Sequence, residues 1–139
     1  MQQTAETVVL ATALGHIRLR LRGDVAPTTA SHFKRLVQDK LLDNSNFYRS
    51  DFVIQFGLHG QKVRNPHPNI AVNESVGSGT KNALSNLRGA VAVAHWEPPD
   101  NGNSEFFIVL NDSTHLDDAW GGYCVFAQVD QDDKESWTT

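Results

Sequence analysis

Over much of the chain apolar positions recur with a period of two. Residues 52–57 place Phe52, Ile54 and Phe56 on one side and Val53, Gln55 and Gly57 on the other, which predicts a half-buried strand. Residues 7–12 predict an earlier strand. Beyond the turn at Leu14-Gly15, Ile17, Leu19 and Leu21 alternate with Arg18, Arg20 and Arg22, giving it a hairpin partner with one wet face. Residues 89–94 form a strand of small side chains, into which a ligand or another backbone can approach closely. Two further strands are predicted over residues 104–110 and 123–129. In the first of these, Phe106 and Phe107 point to opposite faces, so one enters the core and the other needs a pocket.

Residues 26–41 change the period. Ala30, Phe33, Leu36, Val37 and Leu41 follow helical spacing, with His32, Lys34 and Arg35 turned away. Pro27 suits a first turn and the threonines after it suit a cap. The expected helix plugs one end of a sheet. Residues 58–87 are a long polar excursion whose apolar island is Ile70-Ala71-Val72, and loops of that length shape sites. Polar loops also cover residues 95–103 and 111–122. Many short strands with few helical pieces predict one mainly β domain over residues 1–139, a closed or nearly closed antiparallel barrel with a capping helix.

Composition narrows the function classes. A formal net charge of −4 and an isoelectric point near 5.8 argue against a nucleic-acid or membrane-surface protein, which would show a basic face. Residues 1–6 show neither a basic start nor an apolar run, so a leader is not expected and the cytoplasm is the expected compartment. The single Cys124 cannot form an intrachain disulfide and reads as a small buried side chain. His59 and His67 lack the spaced partners of a metal site, and no metal or cofactor is expected. Ser104 does not sit on a Gly-x-Ser-x-Gly elbow, which argues against a hydrolase.

Arg49, three residues before Phe52, supports two readings. It is either a rim residue paired with Asp51 or a permanent cation at the lip of an apolar concavity. The order of motifs bears on this. Phe47-Tyr48-Arg49 resembles a Phe-His-Arg motif, Phe52-Val53-Ile54-Gln55-Phe56-Gly57 resembles Phe-x-x-Gln-Gly-Gly, and Ser104-Glu105-Phe106-Phe107-Ile108 resembles Ser-Gln-Phe-Phe-Ile. With residues 26–41, the small-residue strand, and Leu116-Asp117 followed by Val125-Phe126, these stretches are similar to cyclophilin-type peptidyl-prolyl cis-trans isomerases from about Val8 to Val129.

The resemblance implies a catalytic Arg49, a proline pocket of Phe52, Val53, Phe107, Leu116 and Tyr123, and a Gln55 that braces the arginine. It implies a peptide grip by backbone atoms at Ala94 and His95, with Glu105 and His115 also beside the substrate. It further implies proline-containing peptides and unfolded or flexible chains as partners, and weak cyclosporin binding because His115 stands where a tryptophan is frequent. A proline-binding or chaperone-like module with little turnover is the alternative. Several positions depart from the family pattern: the Arg49–Phe52 interval is two residues shorter, Phe56 replaces a glycine, and residues 130–139 are too short and polar for the closing helix and strand. Residues 7–12 are therefore expected to be an open edge.

Overall fold

The alternation becomes a single curled sheet. The computed structural model describes residues 6–58, 65–70, 72–95 and 102–130. In chain order these hold β1 (Thr7–Thr12), β2 (Gly15–Leu21), α1 (Pro27–Gln38), β3 (Asn46–Ser50), β4 (Val53–Gly57), β5 (Ala90–Val93), β6 (Glu105–Val109) and β7 (Val125–Val129). Two short 3-10 turns, Thr114–Asp117 and Ala119–Gly121, precede β7. All strand pairs are antiparallel, in the order β1-β2-β7-β5-β6-β4-β3, and the sheet curls into a half-barrel.

Each face of the sheet buries its own cluster. On one, Phe33 and Leu36 of α1 pack against Leu19, Val91, Phe106 and Phe126. Phe33 lies 4.8 Å from the Phe106 ring and 4.9 Å from Phe126, centroid to centroid. Burying each such side chain contributes about 1.5–3 kcal/mol, so this face carries most of the fold's stability. On the other face, Val53, Ala92, Phe107, Val109 and Val125 form a smaller cluster, with Phe52, Leu116 and Tyr123 packed against it. Phe106 and Phe107 thus divide between the two clusters as alternation requires.

One strand is added and three local expectations are corrected. Residues 46–50 form a strand that no apolar alternation marks, because all five are exposed and backbone pairing to β4 holds them. Phe52 does not share a face with Ile54: β4 begins at Val53, and Phe52, in the turn before it, swings to the Val53 side. His32 faces inward at 5% exposure, its Nε2 3.0 Å from both the backbone oxygen and Oδ1 of Asn103. Burial holds its imidazole below the usual range. The helix ends at Gln38, and no side chain of its own first turn caps it. The buried Glu74 carboxylate does so instead, accepting the Thr28 N–H at 3.2 Å and the Thr29 N–H at 2.8 Å.

The edge expectation rests on sheet order. Among the described residues β1 pairs with β2 alone and is an outer strand. The tail expected to supply neither helix nor strand lies, from residue 131 onward, outside the described residues, as do His59 and most of the 95–103 loop.

Candidate active site

The site begins with an irregularity in the β3–β4 hairpin. Phe47 pairs with Phe56, yet the next partners are Arg49 and Gln55, then Ser50 and Ile54. Tyr48 is an extra residue, a β-bulge. Directly paired residues share a face, so a regular ladder would have opposed Arg49 to Ile54, on the helix side. The bulge moves Arg49 to the face of Gln55, where Tyr48 also points. The short turn closes on itself. The Asp51 N–H donates to the Val53 carbonyl at 2.9 Å, and the Val53 N–H donates to Asp51 Oδ1 at 3.2 Å.

Above that face lies a cavity of about 740 Å³. Its apolar lining is Phe52, Val53, Phe107, Leu116 and Tyr123, the set the resemblance implies. Phe107, 4% exposed, meets Tyr123 edge-on at 5.6 Å, and Tyr123 stacks on His95 at 4.3 Å. His95 Nε2 lies 2.8 Å from the Gly122 carbonyl, which accepts only, so Nε2 carries the proton. Ala94 lines the cavity, but its N–H already donates to the Glu105 carbonyl at 2.9 Å. His115 is not among the lining residues. It is exposed beside Phe52, ring centroids 5.6 Å apart, at the rim.

Both readings of Arg49 hold together. Its Nε donates to Asp51 Oδ2 at 3.0 Å and its Nη1 to Gln55 Oε1 at 3.4 Å, while Cζ stands 5.7 Å from the Phe52 centroid. With both partners about half exposed, the ion pair orients more than it stabilises. The Val53 N–H, with Arg49 assisting, holds the Asp51 carboxyl below its usual range. Burial pushes the Tyr123 phenol up, with the Arg49 charge opposing.

The polar wall contains residues that sequence reasoning missed: Tyr48, Asn69, Asn103 and Ser104. Tyr48 had a signal, as a polar aromatic next to Arg49, but its role depends on a bulge that no residue pattern announces. Asn103 and Ser104 stand just before the strand that carries Phe107. Glu105 is pinned: Oε1 accepts from the Tyr48 hydroxyl at 2.8 Å, and Oε2 from Ser104 Oγ at 2.8 Å and the Leu58 N–H at 3.1 Å. Among the described residues no group of three His, Cys, Asp or Glu side chains is placed to hold a metal ion.

Known proteins resemble this chain in sequence and in fold. Residues 7–134 match the family model for "Cyclophilin type peptidyl-prolyl cis-trans isomerase/CLD". Peptidyl-prolyl cis-trans isomerase A of Dickeya dadantii is 31% identical over 130 residues, 91% of this chain and 66% of the relative. Peptidyl-prolyl cis-trans isomerase B of Escherichia coli is 30% identical over 123 residues, 83% of this chain and 72% of the relative. The chain thus spans about two thirds of the curated relatives' length. A Cryptosporidium parvum cyclophilin-type isomerase, solved in the presence of the dipeptide Ala-Pro, superposes with a TM-score of 0.75 at 21% identity, covering 91% of this chain and 79% of that one. The matched span, the curled sheet and the motif order agree: this chain belongs to the cyclophilin-type peptidyl-prolyl cis-trans isomerase family.

Proposed function

We propose that this protein catalyses rotation about X–Pro bonds in peptides and in unfolded or flexible chains. The observation that carries the reading is the Arg49 guanidinium, held by Asp51 and Gln55 over the Phe52 ring at the edge of an apolar cavity. The barrier to amide rotation, about 18–20 kcal/mol, comes from delocalisation of the nitrogen lone pair into the carbonyl. Twisting localises that pair on the proline nitrogen. A donor that bonds the nitrogen only in the twisted state stabilises the transition state selectively, and Arg49 does this without transferring a proton.

Magnitudes show that Arg49 shares the task. Shortening a process of tens of seconds to about a millisecond takes roughly 5–7 kcal/mol. A hydrogen bond to a charged group contributes about 1.5–3 kcal/mol. The rest falls to the apolar surface of Phe52, Phe107 and Leu116, which holds the ring while the acyl side turns, and to desolvation of the carbonyl. The chain's own backbone near Ala94 and His95 would hold the peptide.

The protein would act on non-native chains in a chaperone-like way. The buried, unpaired Cys124, its thiol pushed up to about 11 by burial, suits a reducing cytoplasm. His115 at the rim offers less apolar area than an indole, so cyclosporin would bind weakly. Losing roughly 80–100 Å² at about 25 cal/mol per Å² costs about 2 kcal/mol, some thirtyfold in affinity. Inhibitor titration should show His115→Trp recovering most of that factor. Equal affinity in both proteins would remove rim area as the cause.

Isomerisation of a proline tetrapeptide, measured beside equilibrium binding of the same peptide, tests the main reading. Arg49→Ala should lower turnover by about ten- to a hundredfold while changing affinity far less. Binding without turnover in the wild type would leave a proline-peptide module.

A further inference from the structure

Gln55 faces two ways, and which end of its amide faces Arg49 decides whether it helps. The oxygen accepts from the guanidinium. The NH2 would oppose it, donor against donor. We infer that Tyr48 and Glu105 are positioning residues that set the polarity of Gln55, and through it the pose of Arg49. This rests on the isomerase reading, because it assigns the arginine a reacting role.

The hydrogen-bond directions run one way from an anchored start. Glu105 is a carboxylate and accepts only. Its Oε2 is filled by the Leu58 N–H and the Ser104 hydroxyl, which turns Oε1 to Tyr48. The Tyr48 hydroxyl therefore spends its one proton on Glu105, and burial together with that bond pushes the phenol above its usual range, so the proton stays. Only a lone pair is left to face Gln55, whose Nε2 donates to it at 2.8 Å. The amide oxygen is then directed at Arg49 Nη1, 3.4 Å away. The bulge makes this chain possible, since it sets Tyr48 and Arg49 side by side on the Gln55 face. Gly57 lets Glu105 come close, because a Cβ there would lie 2.1 Å from the Ser104 carbonyl and 2.5 Å from Glu105 Oε1.

Glu105→Gln is a sharper probe than truncation. The new amide must offer its oxygen to the Leu58 N–H and the Ser104 hydroxyl, and so turns its NH2 on Tyr48. The hydroxyl then points at Gln55, which reverses and presents NH2 to Arg49. If the amide does not reverse, its NH2 opposes the Leu58 N–H. One donor is unmatched either way.

The test measures kcat and KM on the proline tetrapeptide, with the Arg49 Nε–H signal followed by NMR in the same proteins. Tyr48→Phe and Glu105→Gln should each lower kcat about three- to tenfold, the effect of one hydrogen bond, with KM within about twofold. Their combination should be no worse than the worse single change, and Gln55→Ala should abolish any further effect of Tyr48→Phe. The Arg49 signal should be rigid in the wild type and mobile in each single variant. Multiplying effects, a loss confined to KM, or wild-type kcat in Tyr48→Phe would overturn the relay. If the wild type shows no turnover, the isomerase reading fails on its own. The NMR arm still decides the relay, and an Arg49 signal unchanged by both variants would end it.

Discussion

Two hairpins bound the sheet, and they differ in one residue. The β1–β2 hairpin pairs without interruption from Thr7 with Arg20 to Thr12 with Gly15. Its outward positions, Arg18 and Arg20, meet Asp130 in ion pairs of 3.6 and 3.5 Å. The β3–β4 hairpin carries the bulge at Tyr48, and its side chains build the cavity wall. A regular hairpin gives each strand one face to the core and one to water. The bulged one gives two consecutive residues to the same face, which is how a short edge strand supplies both a cation and the phenol bonded to its brace on β4.

The comparison is broken most directly by removing its cause. Deleting Tyr48 should make the ladder regular with Phe47 still opposite Phe56 and Arg49 still opposite Gln55, so Arg49 keeps its face and loses the phenol beside it. Turnover should fall about three- to tenfold, as in Tyr48→Phe, and urea denaturation should show whether the fold survives. A folded deletion variant that loses about as much turnover as Arg49→Ala would mean that the local twist of the bulge, and not the pairing with Gln55, aims Arg49.

Next comes a matched pair of glycine changes. At Gly57, φ is 151° and a Cβ would lie 2.1 Å from the Ser104 carbonyl oxygen, so Gly57→Ala should cost roughly 3 kcal/mol or more by forcing β4 from β6. At Gly15, φ is 139° with nothing within 4 Å of a Cβ, so Gly15→Ala should cost only backbone strain, about 1 kcal/mol. Chemical denaturation of the two variants reads the difference. Equal losses would mean that strain, not crowding, governs both.

The smallest expected signal is in amide exchange. Since β1 has a partner on one side only among the described residues, its amides directed away from β2 should exchange quickly while those directed at β2 are protected. Slow exchange along all of Thr7–Thr12 in a dilute monomer would show that another segment covers the edge.

What sequence could reveal followed burial. β2, β4, β6 and β7 were legible because one or both of their faces are apolar, and the opposed Phe106 and Phe107 announced core and pocket together. The identity of the apolar lining was legible through the family's motifs. β3 was not, because its five residues are exposed and their partners, in β4 and Glu105, are set by pairing and a bulge and not by apolar alternation. His32 was hidden by its chemistry: a histidine on a polar helix face reads as solvated, and its burial depends on Asn103, 71 residues later. Tyr48 and Glu105 looked like substitutions in known motifs, and their bond to each other spans 57 residues. Short-range pattern carries no term for such pairs.

Glu74 has a bearing on the order in which the protein folds. Its carboxylate reaches the first turn of α1 across 45 residues of intervening chain, so that bond forms only after the long excursion has closed. A twelve-residue helix is marginal in isolation, and its first N–H groups have only water as partner until then. Contacts of such separation slow folding. The helix therefore becomes permanent late, with the docking of the excursion.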